Sequence, residues 1–283
     1  MGSRRRFLIA VGAVTVFPVS QWVRADADPA DLFSPFGRLL ERYLIEKGLP
    51  GGGLATAFRY RAALEDPAIA QHLADQRARL RAFDPGQLDT RERAIAFWLN
   101  GYNFFMLAHI LETPRRGLLV TSVRDYGSLI NPYRVFGRRL FDIGGRAYSL
   151  DEVEKEILLG ENYIARGWFD ARVHFAVNCA SVGCPPLRKQ VYRADNVDRL
   201  LTENTRRALL TPRHMMFAGD TLYLSQLFEW YEGDFVRESG SVRDFLKAYT
   251  DPPLHARLDA APRIRYIDYD WALNEPENFS EFR

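Results

Sequence analysis

Two thiols and an imidazole are the side chains here best suited to covalent chemistry. Cys179 and Cys184 are the only cysteines, and His174 lies just before the first of them. An imidazole can take a thiol proton, and the resulting thiolate attacks an electrophilic carbon. Pro185 suits the first position of a helix, which would set Cys184 at the N-cap, where the positive helix end lowers a thiol's pKa. Cys184 is therefore the favoured nucleophile, with Cys179 behind it and His174 as base. Other fates stay open for the pair. After export they can close a disulfide across the intervening loop. They can be buried thiols, or join His174 in a metal site that would need a further ligand.

Amides and a carboxylate accompany them. In Phe97-Trp98-Leu99-Asn100-Gly101-Tyr102-Asn103, both asparagines project to one side of a helix among apolar neighbours. They are expected inside, either tying down a loop or lining a pocket with Tyr102 and Asn178 as substrate-binding groups. Glu154 lies on a short acidic helix with Glu152 and Glu156, and would either orient His174 or face solvent. Trp230-Tyr231 beside Glu229 and Asp234 would make a sugar platform with an acid pair, although aromatic residues at this density more often form core. No Gly-x-Ser-x-Gly, His-Glu-x-x-His, Cys-x-x-Cys or Walker loop occurs, which weakens serine-hydrolase, zincin, thioredoxin-like and nucleotide-triphosphatase readings.

The elements that must position these groups read as follows. Helices are expected over Asp31–Lys47, Pro67–Phe83, Arg91–Leu111, Leu150–Leu159 after the capping box Ser149–Glu152, Asn196–Leu210, Leu227–Phe235 and Val242–Tyr249. Ala55–Tyr60 and Thr221–Ser225 read as strands, and Gly144-Gly145 as a hairpin turn between Arg139–Asp142 and Arg146–Tyr148. Arg172–Cys179 alternates and reads as a strand, which would hold His174 and Cys179 about 17 Å apart on opposite faces. The order is helix-rich with scattered short strands, so the expected class is α+β with a small, mainly antiparallel sheet.

The chain has 283 residues and a net charge of +2, but four arginines lie in the first 25 residues, which hold no acid. The remainder carries −2, which gives no compositional support for a general basic face. Arg4-Arg5-Arg6 precede the apolar run Phe7–Val19, too short to span a bilayer, and Ala25-Asp26-Ala27 offers a cleavage site. Ser3–Leu8 is similar to a twin-arginine export signal. Residues 1–27 are thus expected to be a signal and 28–283 one globular domain, periplasmic or secreted. No later run of membrane-spanning length is expected, and the body should be soluble. The expected partners are a small-molecule or peptide ligand and the export machinery, with no nucleic acid, cofactor or metal.

Taken together, Phe97–Asn103, Ser149–Glu154, His174–Cys179 with Cys184-Pro185-Pro186, Trp230–Phe235 and Tyr269–Asn274 resemble the family called domain of unknown function 547. The resemblance runs from about Asp31 to Asn274 and implies that Asn100, Asn103, Glu154, His174, Cys179 and Cys184 converge on one site. It implies no established reaction. Two positions depart from the family's pattern: Lys155 stands where a histidine is frequent, and Leu159 where an arginine is.

Overall fold

The computed structural model describes residues 32–283, and the expected signal lies outside them. α1 (Ser34–Tyr43) turns Phe36, Leu39, Leu40 and Tyr43 to the interior. It ends before Lys47, because Leu44–Gly48 leaves the helix as β1 and pairs antiparallel with the wholly buried β2 (Leu54–Phe58). Partnership with a core strand outweighs the small local preference for continuing a helix. α2 (Tyr60–Glu65) and α3 (Ile69–Ala82) follow.

Thr90 Oγ1 accepts a hydrogen bond from Arg93 N and starts α4 (Arg91–Glu112), in which every residue from Ala94 to Leu111 is buried. The chain therefore does contain, past its N-terminus, a helix long and apolar enough to cross a membrane, contrary to the sequence reading; its apolar window is wholly enclosed by the fold. A helix apolar all round suits the centre of a core.

A surface stretch with the short α5 (Arg134–Gly137) leads to the hairpin β3 (Phe141–Ile143) and β4 (Arg146–Tyr148), which turns on Gly144 and Gly145 at positive φ. A π-helical segment (Glu152–Leu158), α6 (Glu161–Ala165), a 3-10 turn (Ala171–Phe175) and α7 (Val197–Leu209) come next. β5 (Met215–Ala218) pairs antiparallel with β6 (Thr221–Ser225), and β7 (Arg263–Ile267) adds in parallel. α8 (Leu227–Trp230), α9 (Glu232–Ser239), α10 (Val242–Ala248) and α11 (Pro252–Ala260) fill that crossover. The class is α+β, with the described strands in three small sheets.

Two large apolar clusters and a small third one of Ala57, Val182 and Phe279 form the interior of the described residues. Of the large pair, one surrounds α4; the other joins Phe175, Phe228, Phe235 and Phe245 to β5 and β6. Residues 171–177 serve both, with Val173, Ala176 and Val177 in the first cluster and Ala171 and Phe175 in the second. The segment carrying His174 is the seam between them.

Candidate active site

Residues 172–179 are not the strand their alternation suggests. Asp170, buried, accepts from Arg172 N at 3.0 Å and caps a 3-10 turn instead. The same carboxylate pairs with the Arg172 guanidinium at 2.6 Å and with Arg91 at the start of α4. One buried anion thus ties the turn to the core helix. With the strand gone, the separation of about 17 Å expected from an extended chain falls too, and His174 and Cys179 line the same cavity.

His174 is 1% exposed. Its Nε2 lies 2.8 Å from Asp234 Oδ2, its Nδ1 lies 3.9 Å from Glu154 Oε1, and Tyr231 stacks on the ring at 4.0 Å. Nδ1 has no hydrogen-bond partner among the described residues. Asp234 accepts only, so it fixes the neutral ring as the Nε2–H tautomer and leaves the Nδ1 lone pair free. Glu154 belongs to the π-helical segment. Ser149 Oγ accepts from Glu152 N at 3.0 Å to begin that helix, but the Glu152 carboxylate reaches Arg139 and Arg146 instead of completing the expected capping box. The bond from Leu159 N to Glu154 O at 3.0 Å closes the wider turn. π turns of this kind recur at functional sites.

The two thiols lie side by side. Cys179 Sγ and Cys184 Sγ are 2.7 Å apart, and the Tyr269 hydroxyl lies 3.2 Å and 3.1 Å from them. The helix expected after Pro185 is absent, so Cys184 has no helix end beside it. Without that dipole, burial dominates and holds the Cys184 thiol well above its usual range. Hydrogen bonding with Cys184, Tyr269 and Ser181 holds the Cys179 thiol below its usual value despite burial. The helix end that favours Cys184 in the sequence is thus not built by the fold. Between them Ala180 takes a left-handed φ of 61°, uncommon for a residue with a Cβ.

The asparagines brace this loop from behind. Asn100 exchanges two hydrogen bonds with the backbone of Tyr192, at 2.7 and 2.9 Å. Asn103 donates to Ala176 O and accepts from Asn178 N, at 2.9 and 2.8 Å. Asn178 donates to Pro185 O and accepts from Ala180 N, both at 2.9 Å. None of the three is on the cavity wall, whereas Tyr102 is. Loop-tying, the first of the two roles expected for them, is the one their contacts describe.

The cavity encloses about 320 Å³. Glu154, His174, Cys179 and Cys184 share its wall with Tyr231 and Tyr269, and Trp230, Trp271 and Tyr133 pack together at its edge. Lys155 also lines it, paired with Asp151 at 2.6 Å. Of the acid pair in the sugar reading, Asp234 is engaged by His174 and Glu229 by Gln226, and neither is on the cavity wall. Among the described residues no three His, Cys, Asp or Glu side chains are grouped to hold a metal ion. Sequence reasoning offers Asp234 only as half of the acid pair of the sugar reading, not as a partner of His174, and does not offer Tyr269 as a site residue. Their further signal is the motifs Trp230–Phe235 and Tyr269–Asn274.

The model of a family described as "Protein of unknown function, DUF547" matches residues 85–208. That span holds α4, Glu154, His174 and both cysteines, and stops short of Asp234 and Tyr269. No curated protein and no solved structure matches the chain.

Proposed function

We propose that this chain is a thiol enzyme, a hydrolase or acyl transferase with Cys179 as its nucleophile. One observation carries the reading: Glu154 of the π-helical segment meets His174, Cys179 and Cys184, from the 3-10 turn and the loop after it, on the wall of one cavity. Asp234 holds the imidazole by Nε2–H, so Nδ1 takes the Cys179 proton. The thiolate attacks a carbonyl carbon, and the electron pair of the C=O bond moves to oxygen. Tyr102, the one expected polar donor on the wall, faces that oxyanion. Collapse expels the leaving group, which takes the proton from His174. Water or a second nucleophile then releases the acyl group from Cys179.

Electrophile labelling tests this. Iodoacetamide should label Cys179 with a pH midpoint below the usual thiol value, and Cys179→Ala should abolish the fast phase while Cys184→Ala keeps it. Equal fast labelling of wild type and Cys179→Ala sinks the assignment. The approach of the two sulfurs to 2.7 Å favours a second reading, a binding module closed by a Cys179–Cys184 disulfide. Intact mass of protein purified without reductant separates the two, since the disulfide form lacks two hydrogens and takes no label. Export through residues 1–27, with a periplasmic or secreted body, belongs to both readings. The N-terminal sequence of protein recovered outside the cytoplasm tests it.

A further inference from the structure

Residues 113–140 hold six arginines and one acid, Asp125, a local charge of +5 that the rest of the chain after residue 25 offsets with −7. All six arginines are exposed. Arg115, Arg116, Arg134 and Arg138 have no carboxylate partner among the described residues, while Arg139 pairs with Glu152 and Arg124 covers the Tyr133 ring at 5.6 Å. The charges gather on one patch. Arg115 acts on Tyr126 and Arg138 on His109, and those two rings are 4.5 Å apart.

At this patch the chain makes a tight turn. Ser128 N donates to Asn131 O at 3.0 Å, and Asn131 N donates to Ser128 Oγ at 3.1 Å. The corner residues are Leu129 and Ile130, exposed to 105% and 96%. Turn corners favour Gly, Pro, Asn and Asp, whose conformations or side chains suit them; two large aliphatic residues gain nothing there from water. A projecting apolar tip in a stretch that carries four unpaired cations fits an interface that is anionic at its surface and apolar beneath.

We infer that residues 113–140 dock on the surface of an anionic phospholipid bilayer, with Leu129 and Ile130 inserted among the acyl chains and the arginines on lipid phosphates. Tyr133 and Phe136 of this stretch also wall the cavity, so the docking surface runs into its edge. The inference does not depend on the chemistry assigned to Cys179.

The test uses the full chain with vesicles of phosphatidylglycerol and phosphatidylcholine, or of phosphatidylcholine alone. Hydrogen exchange read by mass spectrometry over 127–133 reports this loop whatever other segments do. Anionic vesicles should slow that exchange, neutral ones should not, and added salt should reverse the effect. Leu129→Ser with Ile130→Ser should weaken vesicle affinity about tenfold, and Arg134→Ala with Arg138→Ala by a similar factor at low salt. Near-ultraviolet circular dichroism verifies that the variants fold. Unchanged exchange over 127–133 in anionic vesicles overturns the inference. So does protection by heparin that the serine variants retain in full, since that assigns the patch to an acidic polymer.

Discussion

The loop from Ala176 to Leu187 and the stretch from Thr113 to Leu140 are both largely irregular, yet they treat polar groups in opposite ways. In the first, Asn103, Asn178 and Asn204 each hydrogen-bond buried backbone, and Ala176, Val177, Ala180 and Leu187 of the loop pack into the cluster around α4. In the second, Arg115, Arg116, Arg134 and Arg138 stand in solvent with no carboxylate partner among the described residues, and aliphatic residues occupy a turn corner. A buried irregular loop must find a partner for each N–H and C=O, so its geometry is rigidly determined. An exposed one is relieved of that demand by water, and its composition is left to answer to something outside the molecule.

If that contrast is right, substitutions should separate the two regions by stability. Asp170→Ala should cost about 4 kcal/mol by urea unfolding, because it strips Arg91 and Arg172 of their buried counter-charge. Asn103→Ala should cost about 3 kcal/mol, since Ala176 O and Asn178 N would lose their partners inside the fold. It should also slow Cys179 labelling by loosening the loop. A loss below about 1 kcal/mol for either would mean that the buried loop tolerates unsatisfied groups, and the comparison would fail.

His109, under the arginine stretch, sharpens the boundary. Burial first, then Arg138 and Arg77, pull its pKa from 6.5 down to about 4. The unfolded chain takes up that proton near pH 6.5 and the folded chain does not, so its contribution is complete above 6.5 and lost as pH falls to about 4. We expect about 2 kcal/mol of lost stability over that window, reduced from the full linkage value because the site is partly solvated. His109→Phe should flatten the profile there; an unchanged slope would show that His109 is not its source. At the small end, Arg116→Ala and Leu118→Ser should each stay within about 0.5 kcal/mol of wild type.

Some elements were legible without the fold because their causes are local. α4 has its Thr90 cap and unbroken apolar run, and β3–β4 has its glycine pair. β6 coincides with Thr221–Ser225 as read from sequence. Residues 172–179 alternate like a strand, but alternation does not register Asp170, whose cap and ion pairs bend the segment into a 3-10 turn. Pro185 suits a helix start that would favour Cys184, but the fold builds no helix there. The stretch 113–140 was hidden for another reason: a net charge averages over the chain, and here the average conceals a local excess.

What the sequence determined by itself was the stock of reactive groups and the regular elements whose signals span one or two turns. It named Glu154, His174, Cys179 and Cys184, and it placed the core helix. The tertiary structure alone decided which groups meet. Asp234 lies 60 residues beyond His174, and Tyr269 lies 90 beyond Cys179. Contacts at such separations leave no periodicity in the chain, because they are set by the packing of two cores against one seam and not by the preferences of neighbouring residues.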